Sequence, residues 1–171
     1  MNNFSYNYAS SLAYLGISDS LKLLYKSPFP VIICVGSDLA VGDSLGPLIG
    51  SQLVDLLKGK AYVYGTLQNP ITAKEIETVS KTINSLHPKS KILVVDAALG
   101  DINDIGLIKI LDAGISPGKG VGKTLNVIGD VSIISIVSSS DNVNGLYNDV
   151  RLSFVKKVSN VIVKGILEYF K

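Results

Sequence analysis

Two short runs of apolar, largely β-branched residues constrain the fold of this sequence most. Val31–Val35 reads VIICV and Ile92–Val95 reads ILVV, and no polar residue interrupts either run. Such runs predict strands that are buried on both faces, as in a parallel sheet covered by helices on both sides. Because residues with helical spacing follow each run, the sequence predicts an α/β fold with a mostly parallel sheet.

The other segments fit this alternation of strands and helices. Helices are predicted over residues 45–57, 72–86 and 145–170, and further strands over 61–64, 105–111 and 131–137. Residues 5–25 carry apolar residues at loosely helical spacing that Gly16 interrupts, which predicts one or two helices. The 171 residues predict a single domain, with a helical extension over residues 1–27 and a core over residues 30–171.

The composition excludes several classes of partner and site. The net charge of +2 is small and scattered, and no segment approaches the roughly 20 apolar residues of a membrane span, so neither nucleic acid nor a membrane is an expected partner. The single cysteine, Cys34, and the single histidine, His87, exclude metal sites built from several of either residue. A free thiol without a recognisable secretory signal predicts a cytoplasmic protein.

Two short motifs look like catalytic signatures but lack the required context. Residues 122–124 read GKT, the end of a phosphate-binding loop, but Pro117 occupies the position of an essential glycine. Residues 42–46 read GDSLG, which fits the elbow of a serine hydrolase. That elbow comes directly off a strand, whereas the predicted strand ends at Val35. We therefore interpret Ser44 as a small polar residue at the start of a helix.

The remaining candidates for chemistry are aspartates that follow the two buried runs. Asp38 and Asp43 come after the first run, and Asp96 comes directly after the second. Because the carboxyl ends of neighbouring parallel strands form the ligand crevice of such a sheet, we expect these residues to lie close together. Paired carboxylates can share a proton or a metal ion, and either arrangement can activate water. Capping of a helix by Asp43 and of a loop by Asp96 remain alternative interpretations.

Four motifs in a fixed order resemble a known family. They read VGSDLAVGDSLGPLIGSQL, VYGTLQNP, ILVVDAALG and SPGKGVGKTLNVIGDVSI, and they extend from about Val31 to about Ser140. The set resembles the sporulation proteins of the YyaC type, which are similar to the spore germination protease and more distantly to the hydrogenase maturation proteases. The resemblance implies a three-layer α/β/α sandwich of the phosphorylase/hydrolase-like type. Its mixed, mostly parallel sheet would have five strands, of which residues 105–111 would form the antiparallel one.

The same resemblance implies which residues form the site. Asp43 and Asp96 match the proposed catalytic aspartates of the germination protease. A crevice around them would bind substrate through these residues: Asp38, Gly42, Thr66, Ser116, Gly118, Lys119 and Gly120. In the hydrogenase maturation proteases a histidine joins the two acidic residues to hold a metal ion, and this sequence has no histidine in the matching region.

Three hypotheses about function follow. The first is a sporulation-associated, peptidase-like hydrolase that acts on a small protein or peptide and needs no cofactor. Its two aspartates would hold a water molecule, one as general base and the other as acid. The second is hydrolysis assisted by a divalent metal ion on Asp38, Asp43 and Asp96. The third is a non-catalytic sporulation protein that binds a peptide or protein partner in the same acidic crevice. The sequence leaves the oligomeric state open.

Overall fold

The computed structural model describes residues 2–116, 127–141 and 150–171. Within these ranges the chain forms six strands, which are β1 (Asn3–Asn7), β2 (Val31–Cys34), β3 (Tyr62–Tyr64), β4 (Ile92–Gly100), β5 (Leu107–Leu111) and β6 (Val131–Ser139). The α-helices in the same ranges are α1 (Ala13–Leu24), α2 (Leu45–Leu56), α3 (Ile76–Leu86) and α4 (Leu152–Tyr169). Two single turns of 3₁₀-helix cover Gly42–Ser44 and Ile102–Asp104.

The strands form one mixed sheet in the order β1-β5-β6-β4-β2-β3. Strand β2 pairs in parallel with β3 and β4, and β4 pairs in parallel with β6. Strand β5 runs antiparallel to both of its neighbours, β1 and β6. The predicted α/β fold is therefore confirmed, and the predicted antiparallel strand lies within the expected segment.

Helices cover the two faces of this sheet unequally. On the first face, α1, α2 and α4 pack with alternate strand residues such as Ile32, Leu93 and Ile133 into one apolar core. On the second face, α3 packs through Ile76 and Ile83 on the other set of strand residues. Because side chains alternate between the two faces of a strand, the uninterrupted apolar runs supply both cores at once.

The N-terminal segment differs from its prediction. Residues Asn3–Asn7 form an edge strand instead of the start of a helical extension, so the sheet has six strands and not five. Helix α1 continues through Gly16 without a break. A built Cβ at Gly16 would lie 2.3 Å from the ring of Tyr6, so this glycine lets the helix lie directly on β1.

Helix α2 lies unusually close to the ends of β2 and β3. A Cβ built at Gly46 would lie 1.9 Å from the carbonyl oxygen of Val35, and one at Gly50 would lie 1.9 Å from that of Gly65. Glycines permit this approach because no side chain separates the helix from the neighbouring backbone. The contact fixes the position of the 3₁₀ turn Gly42–Ser44, which leads directly into α2.

No helix in the described ranges is both long and apolar enough to cross a membrane.

Candidate functional site

Asp96 lies inside strand β4, whereas the sequence predicted that the strand ends there. Strand β4 continues to Gly100, and Asp96 pairs in register with Ile134 of β6. Its side chain belongs to the second face, because Val95 and Ala97 on either side of it pack into the core of the first face. The backbone N–H of Ala97 donates a hydrogen bond to Asp96 Oδ1 at 2.9 Å. The carboxyl group is therefore held at a fixed place in a strand interior.

Asp43 reaches the site from the turn that precedes α2. This 3₁₀ turn packs against β4, and the N–H of Ser37 donates to the backbone carbonyl of Asp43 at 3.2 Å. Gly36 makes the approach possible, because it has a φ of +140° and a built Cβ would lie 2.1 Å from the carbonyl oxygen of Asp43. A side chain at position 36 would be strained in conformation and would displace Asp43.

The two carboxyl groups influence each other electrostatically. Burial, the larger cause, and the negative charge of Asp43 together raise the pKa of Asp96 to about 8, although the Ala97 N–H partly opposes both effects. Burial also raises the pKa of Asp43, whereas the Ser37 N–H lowers it. Asp43 therefore ionises first, and its charge then opposes ionisation of Asp96. Near neutral pH this places one ionised and one protonated carboxyl group together, which is the arrangement of an acid–base pair.

The structure describes four of the residues that were predicted to bind substrate, and they lie in different loops and turns. Asp38 is exposed in the loop after β2, and Gly42 is a buried residue of the 3₁₀ turn beside Asp43. Thr66 Oγ1 accepts the N–H of Asn69, so this hydroxyl stabilises its own turn. Ser116 is half-buried and directly follows a β-bridge between Ile115 and Ile128.

The predicted glycine-rich wall of the crevice lies outside the described residues. This applies to Gly118, Lys119 and Gly120, to the GKT motif and to the predicted first turns of the last helix. Their contribution to the site remains the prediction made from the sequence.

The three aspartates predicted as alternative metal ligands do not form a metal-binding group among the described residues. Among residues 2–116, 127–141 and 150–171, no three His, Cys, Asp or Glu side chains are grouped closely enough to hold one. Asp38, Asp43 and Asp96 all belong to these ranges, so the alternative metal set predicted from the sequence is not assembled. His87 lies at the C-terminus of α3, where its Nε2 is 2.7 Å from the hydroxyl oxygen of Tyr64. We therefore derive no step that passes through a metal ion.

The other residues that the sequence singled out have structural roles. Ser44 is buried, and its hydroxyl donates to the carbonyl of Val41 at 2.6 Å, as expected of a polar residue at a helix start. Cys34 is buried, and burial raises the pKa of its thiol, so it is the small apolar core residue that was predicted. His87 ends its helix as predicted, but the sequence did not indicate its contact with Tyr64.

Sequence reasoning also missed the backbone groups that hold the carboxylates. Ser37 and Ala97 supply their N–H groups, and Gly36 supplies the space for Asp43. The available signal was a glycine directly after a buried strand, which often marks a close approach of two backbones.

Three comparisons place the chain among known proteins. A family model described as "Protein of unknown function (DUF1256)" matches residues 5–165. YyaC of Bacillus subtilis (strain 168), described as an uncharacterized protein, is 36% identical over 155 residues, which cover 88% of this chain and 73% of YyaC. The predicted resemblance to proteins of the YyaC type is thus confirmed. None of the comparisons tests the link to the germination protease or to sporulation.

A solved structure shares the fold. The crystal structure of the [NiFe] hydrogenase maturation protease HycI from Thermococcus kodakarensis KOD1 superposes with a TM-score of 0.58. The match covers 91% of this chain and 98% of HycI at 18% sequence identity. At that identity the likeness shows the fold, which is an α/β fold of the kind found in HycI.

Proposed function

This chain belongs to the DUF1256 family, and we propose that it is a peptidase-like hydrolase that activates water between Asp43 and Asp96. The asymmetry of the two carboxyl groups carries the proposal. Burial and the charge of Asp43 raise the pKa of Asp96 to about 8, so Asp96 retains a proton at a pH at which Asp43 is ionised. The fold shared with HycI, a maturation protease by its name, supports the reaction class.

The chemistry follows from the two protonation states. The ionised Asp43 removes a proton from a water molecule while the water oxygen forms a bond to the carbonyl carbon of a peptide. Asp96 donates its proton to the carbonyl oxygen, which prevents an unpaired negative charge there. When the C–N bond breaks, the amine leaves with the proton held by Asp43, and proton transfer from the new acid restores Asp96.

A small protein or peptide is the proposed substrate, in the cytoplasm of a sporulating cell. The sequence resemblance supports the sporulation setting, and the name of HycI supports the peptide substrate. The single buried thiol, Cys34, is compatible with a reducing compartment.

Substitution of each carboxyl group by an amide tests the proposal. We expect Asp43→Asn and Asp96→Asn each to lower peptide cleavage at least about 100-fold, the usual minimum for a general acid or base. The probe is a mixture of synthetic peptides, whose new termini are identified by mass spectrometry. Asp55→Asn, at an exposed position of α2, is the matched control and should leave cleavage unchanged. Full activity in Asp43→Asn would contradict the proposal.

The pH profile provides an independent test. Cleavage should fall as the pH rises through about 8, because Asp96 then loses the proton that it donates. It should also fall at low pH, where Asp43 gains a proton. A rate that stays constant from about pH 7 to about pH 9, roughly one unit on either side of the Asp96 pKa of about 8, would exclude Asp96 as the acid.

A binding protein is the second candidate, and one observation favours it. Asp96 Oδ1 already accepts the Ala97 N–H, which engages part of the carboxyl group within its own strand. If no peptide is cleaved but wild-type protein retains peptides from the same mixture and Asp43→Asn does not, the crevice binds without catalysis. Residues 118–120, which the sequence resemblance assigns to substrate binding, would then serve as contacts to the bound peptide.

A further inference from the structure

Strand β1 forms one edge of the sheet, and no other strand of the described residues pairs with its outer side. The N–H of Tyr8 donates to Gly106 and the N–H of Asp112 donates to the carbonyl of Asn2, so the even-numbered residues of this segment face β5. In an antiparallel pair, inward and outward backbone groups alternate from residue to residue. The N–H and C=O groups of Asn3, Ser5 and Asn7 therefore point outward, away from the sheet.

The sequence of this edge is nearly the same in both directions. Strand β1 reads Asn-Phe-Ser-Tyr-Asn, with Ser5 at its centre and no charged residue. If two copies of this strand pair antiparallel around Ser5, asparagine meets asparagine and phenylalanine meets tyrosine. Such self-complementarity is what a two-fold interface requires, since every contact occurs twice. The common protection of an edge strand by charged residues is absent here.

An apolar groove lies beside the same edge. Tyr6, Leu12, Leu15 and Gly16 contribute to its lining, together with Ser5 and Asn7 of the strand, and its volume is about 420 Å³. The side chain of Leu12 is 64% exposed and that of Leu15 is 37% exposed. Leu12 directly precedes α1 and Leu15 lies in its first turn, and α1 covers β1 on the first face. A second copy that pairs through β1 would bring its own α1 to the same face, so the leucines of the two helices would meet.

We propose that the free edge of β1 is a homodimer interface, at which two copies pair antiparallel through Asn3–Asn7 around a two-fold axis at Ser5. The outward N–H and C=O groups of Ser5 in each copy would then bond to those of the other. The joined sheet would have twelve strands, since each copy contributes six. Leu12 and Leu15 of both copies would exclude water from the groove above the new strand pair.

Cross-linking at a chosen position tests this register. In a hydrogen-bonded antiparallel pair the two Cα atoms lie about 5.5 Å apart, which suits a disulfide bond. We expect Ser5→Cys to form a covalent dimer on oxidation, because each Ser5 faces its own copy. Asn3→Cys is the control, because Asn3 would face Asn7 of the second copy and lie about 13 Å from its own counterpart. Cys34 is fully buried and does not compete.

The oligomeric state in solution completes the test. Light scattering on the wild-type chain should give twice the 18.1 kDa mass of one copy. Ser5→Pro should give the mass of one copy, because it removes an outward N–H while the ladder to β5 stays intact. Leu12→Lys with Leu15→Lys should do the same without touching the sheet, since both side chains are exposed.

Two results would overturn the proposal. If the wild-type chain stays monomeric at all accessible concentrations, β1 is not a homodimer interface, and a strand from another protein would be the alternative partner of this edge. Equal cross-linking of Asn3→Cys and Ser5→Cys would show that the copies meet by collision or in another register.

Discussion

The two faces of the sheet are covered to different depths, and they carry different kinds of residue. On the first face, three helices enclose a core in which Ile17, Leu53 and Ile162 have no exposed surface. On the second face, α3 is the helix that packs on the sheet among the described residues, and it covers strands β2 and β4. Asp96 lies on this second face, where β4 continues past the residues that α3 covers.

Because of this difference, the first face mainly stabilises the fold, whereas the second face can hold the carboxyl group of Asp96. A carboxyl group is stable on a strand interior only where its desolvation is limited or where partners compensate for it. On the first face a closely packed apolar cluster fills the space, and the polar side chains buried there among the described residues are uncharged serines. The second face gives Asp96 partial exposure, a backbone N–H donor and a second carboxyl group. Three predictions test whether the two faces differ in this way.

The largest effect should come from matched truncations of the two cores. Ile49 of α2 and Ile83 of α3 are both buried isoleucines, one on each face. We expect Ile49→Ala to lower the free energy of unfolding by about 4 kcal/mol, since rigid neighbours on all sides prevent the cavity from closing. Ile83→Ala should cost about 2 kcal/mol, because the single helix above it can relax. Urea denaturation of both variants measures the difference.

Val54→Ala is the control for this pair, because Val54 lies on the exposed side of α2 and its loss should cost well under about 1 kcal/mol. Equal losses for Ile49→Ala and Ile83→Ala would show that the second face is packed as rigidly as the first.

An intermediate effect of the opposite sign should come from Asp96. Its folded pKa of about 8 lies above the unfolded value of about 3.9, so the folded state holds the proton more tightly. Its contribution to stability is complete below pH about 4 and is lost as the pH rises through about 8. Asp96→Asn removes this dependence while it keeps an oxygen for the Ala97 N–H. We therefore expect the variant to be about 2 kcal/mol more stable at neutral pH, a figure reduced for the partial exposure of Asp96.

Thermal unfolding of Asp96→Asn and of the wild type between about pH 3 and about pH 9, values that bracket the two pKa values above, measures this effect. The gain should vanish toward the acidic end, where Asp96 is protonated in both the folded and the unfolded chain. A variant that is less stable than the wild type at neutral pH would show that the carboxyl group serves the fold. Asp96 would then have a structural role, as the core residues of the first face do.

The smallest effect should come from the start of α3. In the turn that leads into α3, Thr72 and Glu75 bond as in a capping box: Glu75 Oε2 accepts the N–H of Thr72 at 3.2 Å, and Thr72 Oγ1 accepts the N–H of Lys74. Thr72→Ala should lower the free energy of unfolding by about 1 kcal/mol. Thr78→Ala, at an exposed position of the same helix, is the control and should have almost no effect. A loss in Thr72→Ala similar to that of Ile83→Ala would mean that α3 depends on its cap more than on its packing.

Most of the architecture was predictable because its signals are local. Local patterns predict these elements directly: the apolar runs indicate β2 and β4, and the periodic leucines indicate α2. Strand β1 was not predicted because it is a short strand of five partly polar residues. The helical spacing of α1 also begins soon after it, so the two segments looked like one. The pairing of Asn3–Asn7 with β5, about 100 residues later in the chain, makes this segment a strand, and no local pattern reveals that partner.

The candidate site was predictable in its residues and not in its geometry. Because Asp43 and Asp96 follow two buried runs, the sequence predicted that they lie close together near the carboxyl ends of neighbouring strands. The charge of Asp43 raises the pKa of Asp96, as expected of neighbouring groups. The prediction that β4 ends at Asp96 was wrong, because β6 continues beside it as a partner as far as Gly100. The third predicted carboxylate, Asp38, points to solvent in its loop and does not join the pair in a metal-binding group.

By itself, the sequence determined the order of the strands and helices from β2 onward, the two-sided burial of the central strands and the identity of the two carboxylates. These depend on periodicity and on residue type, which are properties of the chain alone. Only the tertiary structure decided which carboxyl group keeps its proton. That choice depends on the burial of Asp96, the N–H groups of Ser37 and Ala97, and the space left by Gly36. A pKa is set by the groups that surround a carboxyl in space, and folding brings those groups together from distant parts of the chain.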